Sequence, residues 1–130
     1  MAAPSAQALF DQGLALHHAG RTEEARGLYE EALRAEPRHF DALHLLGVIM
    51  VQAGDTPAGV GLIERAIALR PNEPAALSNL GWALAEAGRR GDAIAAYDRA
   101  LKLDPSYVSG HYNRANTLRD SGALAEALAG

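Results

Sequence analysis

The chain has 130 residues, of which 28 are Ala and 18 Leu, against 11 for Val, Ile and Thr together. That balance favours helix and leaves too few β-branched residues for a sandwich or a parallel sheet. A net charge of −4 gives no clustered basic surface for a phosphate backbone, and the absence of Cys removes disulfides, thiolate metal sites and a thiol nucleophile.

Residues 1–5 (Met1-Ala2-Ala3-Pro4-Ser5) carry neither a basic segment nor an apolar core of a secretory signal. No apolar run approaches the roughly 18 residues that cross a bilayer. Neither nucleic acid nor membrane is expected as a partner, and a cytoplasmic location is expected.

From residue 6 onward the sequence repeats every 34 residues. Pro37, Pro71 and Pro105 keep that step, as do Gly20, Gly54, Gly88 and Gly122. So do Gly13, Gly47 and Gly81, with Ala115 next in the series, and Leu16, Met50, Leu84 and Leu118. Leu9, Leu43 and Leu77 repeat, then Ala32, Ala66 and Ala100, then Tyr29, Ile63 and Tyr97. Seven series in one register exceed what an Ala-rich composition supplies by chance.

Each unit reads as two helices. The first has apolar or small residues at helical spacing, as in Leu77, Leu80, Gly81 and Leu84, and stops at a Gly that tolerates a left-handed turn. The second carries Ala93, Ile94, Tyr97, Ala100 and Leu101 on one face and ends before Pro105. Thr22 and Thr56 are read as N-caps of the second helices, with Pro57 at the first helical position. Gly13, Gly47, Gly81 and Ala115 are small because the two helices of a pair cross there. Tyr29, Ile63 and Tyr97 fill the space beside them. Gly59 and Gly61 depart from the pattern, and each is expected to cost its helix about 1 kcal/mol against Ala.

On these residues the chain resembles the tetratricopeptide repeat (TPR) family, whose units are 34-residue helix–turn–helix elements with small, aromatic and Pro positions at these offsets. The resemblance implies an all-α, right-handed superhelical solenoid. It divides the chain into a tail at 1–5, units at 6–39, 40–73 and 74–107, and a truncated fourth unit at 108–130. Unit four holds His111 where unit three has Leu77, and lacks most of its second helix. It is therefore expected to be part of a longer array. Leu118, Leu124 and Leu128 do not form the polar cap of a terminal repeat, so self-association through that end is expected.

TPR solenoids bind segments of partner proteins along the concave face lined by the first helices. The resemblance places Phe10, His44, Asn79, Trp82, Tyr112, Asn113 and Asn116 there as peptide-binding residues. Asn79 and Asn113 hold the same place in successive units, and an amide can pair with any peptide backbone. The TPR arm of O-GlcNAc transferases carries a similar Asn ladder. Here Asp11 and Leu45 interrupt it. The carboxylate clamp of chaperone-binding TPR domains is not expected, because Phe10, Leu14 and Leu45 occupy its places. A one-unit shift of frame puts Ser109 and Asn113 where cations are needed. Asp11, Asp41, Glu86 and Asp120 outnumber Arg119 on this face, which favours a neutral or basic peptide.

Five His residues (17, 18, 39, 44 and 111) are read as surface imidazoles rather than metal ligands. No phosphate loop, nucleophile elbow or HExxH is present. The expectation is a non-catalytic scaffold without cofactor or metal. The alternatives are the recruiting arm of a larger glycosyltransferase resembling O-GlcNAc transferase, and an oligomerisation module.

Overall fold

The computed structural model describes residues 3–129, with side chains described through Gly122. Among the described residues it holds seven helices and no strand: α1 (Ala6–His18), α2 (Thr22–Ala35), α3 (Phe40–Gln52), α4 (Thr56–Leu69), α5 (Pro74–Glu86), α6 (Arg90–Leu103) and α7 (Val108–Ala129). They form two compact units, one of α1–α4 up to Arg70 and one of α5–α7 from Pro71.

The turns explain the Gly and Pro periods. After α1, α3 and α5 the chain passes through Gly20, Gly54 and Gly88 at φ of 81°, 95° and 80°. There the next amide reaches back five residues. Arg21 N–H donates to Leu16 O, Asp55 to Met50 O and Arg89 to Leu84 O, at 2.8–2.9 Å. This is the Schellman closure, which satisfies orphan carbonyls and needs a residue that tolerates positive φ. After α2, α4 and α6 the next residue (Glu36, Arg70, Asp104) turns extended, with ψ of 95°, 89° and 91°. A following Pro forces that conformation.

Two local expectations are corrected. Thr22 and Thr56 are the first helical residues rather than caps, and the preceding Arg21 and Asp55 make no side-chain cap bond. The start of α2 is held instead by Arg21 on Glu24 at 2.6 Å, and that of α6 by Arg89 on Asp92 at 2.9 Å. Gly122 does not act as its counterparts do. It lies inside α7, which continues to Ala129. Leu124 and Leu128, expected at the uncapped end, lie outside the described side chains.

Packing follows the small-on-large scheme. A Cβ added at Gly13 would stand 2.7 Å from the Tyr29 ring, and one at Gly81 would run into the ring of Tyr97. Tyr29, Tyr97 and Ile63 are almost wholly buried. The α3–α4 pair goes further. A Cβ at Gly59 would stand 2.6 Å from the backbone oxygen of Gly47, and one at Gly47 would stand 2.9 Å from that of Gly59. Gly59 is therefore not a mere weakness in α4, since two facing glycines let the backbones meet. Gly61, with open space around it, keeps its expected cost.

In the first unit the core is Leu9, Phe10, Ala25, Tyr29, Ala32, Ala42, Leu46 and Ile49. Phe10 stacks on Tyr29 with ring centroids 5.4 Å apart, and His39 lies 5.3 Å from Phe10 on another side. No helix is long and apolar enough to cross a membrane among the described residues.

Candidate functional site

The residues expected to bind peptide fall in both units, and the structure gives them unlike environments. In the first unit Phe10 is 5% exposed and belongs to the core. Its ring supports Tyr29 and offers no surface. His44 is also buried, with its ring centroid 5.9 Å from that of Phe40. Arg70 covers Phe40 from outside, its guanidinium carbon 4.7 Å from the ring centroid.

The His residues are mostly structural. His39 is buried and caps α3: its Nδ1 accepts the Ala42 N–H at 3.1 Å. The proton must then sit on Nε2, which donates to Gln7 Oε1 at 3.0 Å. His17 Nδ1 pairs with the Tyr29 hydroxyl at 3.2 Å. Burial, with a smaller push from His18, holds the His17 imidazole below the usual 6.5. The reading of all five as surface imidazoles is corrected for His39 and His44. No group of His and acidic residues able to hold a metal ion occurs among the described residues.

In the second unit the residues converge. Helix α5 presents Trp82, Ala85 and Glu86, spaced to share one face. Helix α7 presents Asn113, Asn116 and Asp120 at i, i+3 and i+7, with Thr117 and Arg119 beside them. Between the two helices lies a cavity of about 360 Å³, floored by Tyr97 from α6. Three of the expected residues, Trp82, Asn113 and Asn116, therefore share one hollow. Asn79 sits half-buried on α5 away from this lining, and Tyr112 is 67% exposed, likewise outside it.

The polar groups here are ordered. Arg119 Nη2 donates to Asn116 Oδ1 at 2.7 Å. That leaves the Asn116 amide N–H free to meet an incoming acceptor. Behind the wall, Arg114 pairs with Asp98 at 2.8 Å and ties α7 to α6. The pKa of the Tyr97 hydroxyl is raised, mainly by burial; the Thr117 side chain offsets part of this, and the negative charge of Glu86 adds to it. The phenol stays neutral, so the floor is polar but uncharged. No ion pair engages Glu86 or Asp120 among the described residues.

Sequence reasoning missed the floor. In sequence Tyr97 reads only as a packing residue, and Thr117 does not stand out. A signal existed, because Thr117 takes the place held by Ala83 and Ile49 one and two periods earlier. A hydroxyl in an apolar register position marks a buried polar partner.

A tetratricopeptide repeat family model matches residues 2–39, 19–74, 44–107 and 78–129. Among solved structures, the chain is similar to the first TPR domain of Spaghetti (RPAP3) bound to the HSP90 peptide SRMEEVD. The TM-score is 0.83 at 21% identity, over 93% of this chain and 94% of that one. At that identity the likeness is one of fold. A mutant O-GlcNAc transferase from Thermobaculum terrenum superposes with TM-score 0.84 at 28% identity, over 87% of this chain. The match spans only 22% of that protein. YrrB, described as a TPR protein with an unusual peptide-binding site, matches with TM-score 0.78 at 25% identity, over 90% of this chain and 60% of that one. No curated protein matches the sequence. With matches that run along nearly the whole chain, and with helix pairs built on the same small, aromatic and Pro positions, the protein belongs to the tetratricopeptide repeat family.

Proposed function

We propose that the protein is an interaction module that holds a peptide segment of a partner protein, with its principal contact at the cavity between α5 and α7. The observation that carries this reading is the convergence of Trp82, Asn113 and Asn116 on one hollow of about 360 Å³. A hollow of that size admits one or two side chains, while amides at its rim can hold backbone. Trp is the residue type most often found as an anchor in such contacts.

The same reading drops Phe10 and His44 as contacts, because both serve the interior of the first unit. It also disfavours a C-terminal carboxylate ligand. Phe10 and Leu14 are no substitute for cations, and Arg119, the cation at the cavity, stands among the carboxylates of Glu86 and Asp120. The test is a peptide array followed by titration of the best binder against wild type and Asn113→Ala/Asn116→Ala. A loss of tenfold or more supports the reading, and unchanged affinity removes it.

A second reading is favoured by the 28% identity to the O-GlcNAc transferase. The chain would then be the substrate-recruiting repeat arm of a larger glycosyltransferase, itself without catalytic groups. A transferase domain encoded in the same reading frame supports this, and a frame without one removes it.

A further inference from the structure

We propose that the cavity of the second unit selects an arginine side chain of the bound segment, its guanidinium lying against Trp82 and between the carboxylates of Glu86 and Asp120. The proposal rests on the peptide-binding reading above and adds the chemical class of residue that the hollow takes.

Charge decides the sign of the ligand. Glu86 and Asp120 line the cavity without an ion pair among the described residues, while Arg119 is bonded to Asn116. Two carboxylates against one guanidinium leave one net negative charge at the hollow. An acidic side chain would meet two carboxylates against a single cation. A cation would find two acceptors and an aromatic wall. The floor does not alter this balance, since Tyr97 is buried and neutral.

Shape decides between the two cationic side chains. Trp82 and Glu86 stand one turn apart on α5, and Asn116 and Asp120 one turn apart on α7. A planar guanidinium can stack on the indole and reach carboxylates on both sides in its own plane. A lysine ammonium is a point charge with a tightly held water shell and cannot stack. The Asn116 amide, its oxygen turned to Arg119, offers its N–H to a backbone carbonyl beside the arginine.

Trp82 is the only Trp of the chain, so its emission reports on the cavity directly. The experiment titrates wild-type protein with four capped nine-residue Gly/Ala peptides that differ at the centre: Arg, citrulline, Lys or Glu. Citrulline keeps the planar shape and loses the charge. Isothermal calorimetry runs alongside the fluorescence. The expected result is that the Arg peptide shifts Trp82 emission and binds about tenfold more tightly than the citrulline peptide, as a partly desolvated cation–π contact with charge-assisted bonds implies. Binding should weaken as salt rises. Glu86→Gln and Asp120→Asn, both at exposed positions, should each bring the Arg peptide towards the citrulline value and weaken the citrulline peptide less, because its ureido N–H groups lose a hydrogen-bond acceptor but no charge partner. Equal binding of Arg and citrulline peptides overturns the selectivity while leaving a peptide-binding cavity. Equal or tighter binding of the Lys peptide, or tighter binding of the Glu peptide, also overturns it. Silence of all four peptides in both measurements overturns the cavity and the selectivity together.

Discussion

At the scale of single residues, polar groups set among apolar neighbours hold the start of α3 and tune the pH response. His39 closes the first turn of α3 through Ala42 and reaches α1 through Gln7. His39→Ala removes the cap and the ring beside Phe10, and urea unfolding should show a loss of about 0.5–2 kcal/mol. His39→Asn can still cap and should lose less. His17 and Tyr29 set opposite ends of the pH range. The His17 pKa is lowered, so the folded state resists a proton that the unfolded chain takes up near 6.5. Its contribution is present above that value and is lost as pH falls. Burial pushes Tyr29 up to about 12, so its contribution is present below pH 10 and is lost as pH rises from 10 towards 12. The urea midpoint should be highest on the plateau between these windows. His17→Gln should flatten the acid side and Tyr29→Phe the alkaline side, Tyr97 retaining part of the latter. None of these roles was visible in sequence, because a His before a helix reads the same whether it caps or points to water.

At the scale of the helix, the repeat was legible because it is written in backbone geometry. Gly20, Gly54 and Gly88 recur where a left-handed turn closes a helix, and Pro37, Pro71 and Pro105 where one must end. Gly122 shows the limit of that reading, since its spacing is the same and it lies within α7. In the earlier turns the chain after the Gly returns on a helix whose Tyr or Ile seats on the first helix. The period alone does not carry that packing. Gly59 and Gly61 show the same limit within α4. Both are departures from Ala in sequence, yet a Cβ at Gly59 strikes the Gly47 backbone and one at Gly61 meets nothing. Gly59→Ala should therefore destabilise by about 1–3 kcal/mol as α3 and α4 are forced apart. Gly61→Ala should stabilise by about 0.5–1 kcal/mol. Thermal melts of the two variants should move in opposite directions. Loss of stability in Gly61→Ala would show that α4 is constrained on a side where the structure leaves it open.

At the scale of the molecule, one rule built three helix pairs and leaves a consequence on α7. In each pair the first helix offers a small residue (Gly13, Gly47, Gly81), and the second seats Tyr29, Ile63 or Tyr97 on it. The equivalent Ala115 on α7 is exposed, and beside it Val108, Tyr112 and Leu118 are 77%, 67% and 45% exposed. These positions follow one another at spacings of four, three and three residues, a single stripe along a helix. In the first unit the residues in the Tyr112 register place, Phe10 and His44, are buried, as is Ser78 in the second. The sequence period therefore marks this stripe as a packing face, and its exposure leaves apolar area for another helical surface to bury. A second copy of the chain offers such a surface. We accordingly expect the 130-residue chain to self-associate as concentration rises, with a light-scattering mass above that of one 13.7 kDa chain. Tyr112→Glu combined with Leu118→Lys should restore the monomer mass without loss of helix by circular dichroism, since both side chains lie outside the core. A monomer mass for the wild-type chain at millimolar concentration would show that the stripe does not pair with itself. Because Tyr112 and Leu118 do not line the cavity that holds Trp82, the same double variant should bind the arginine peptide as the wild type does. Self-association and peptide binding would then be separable properties of α7.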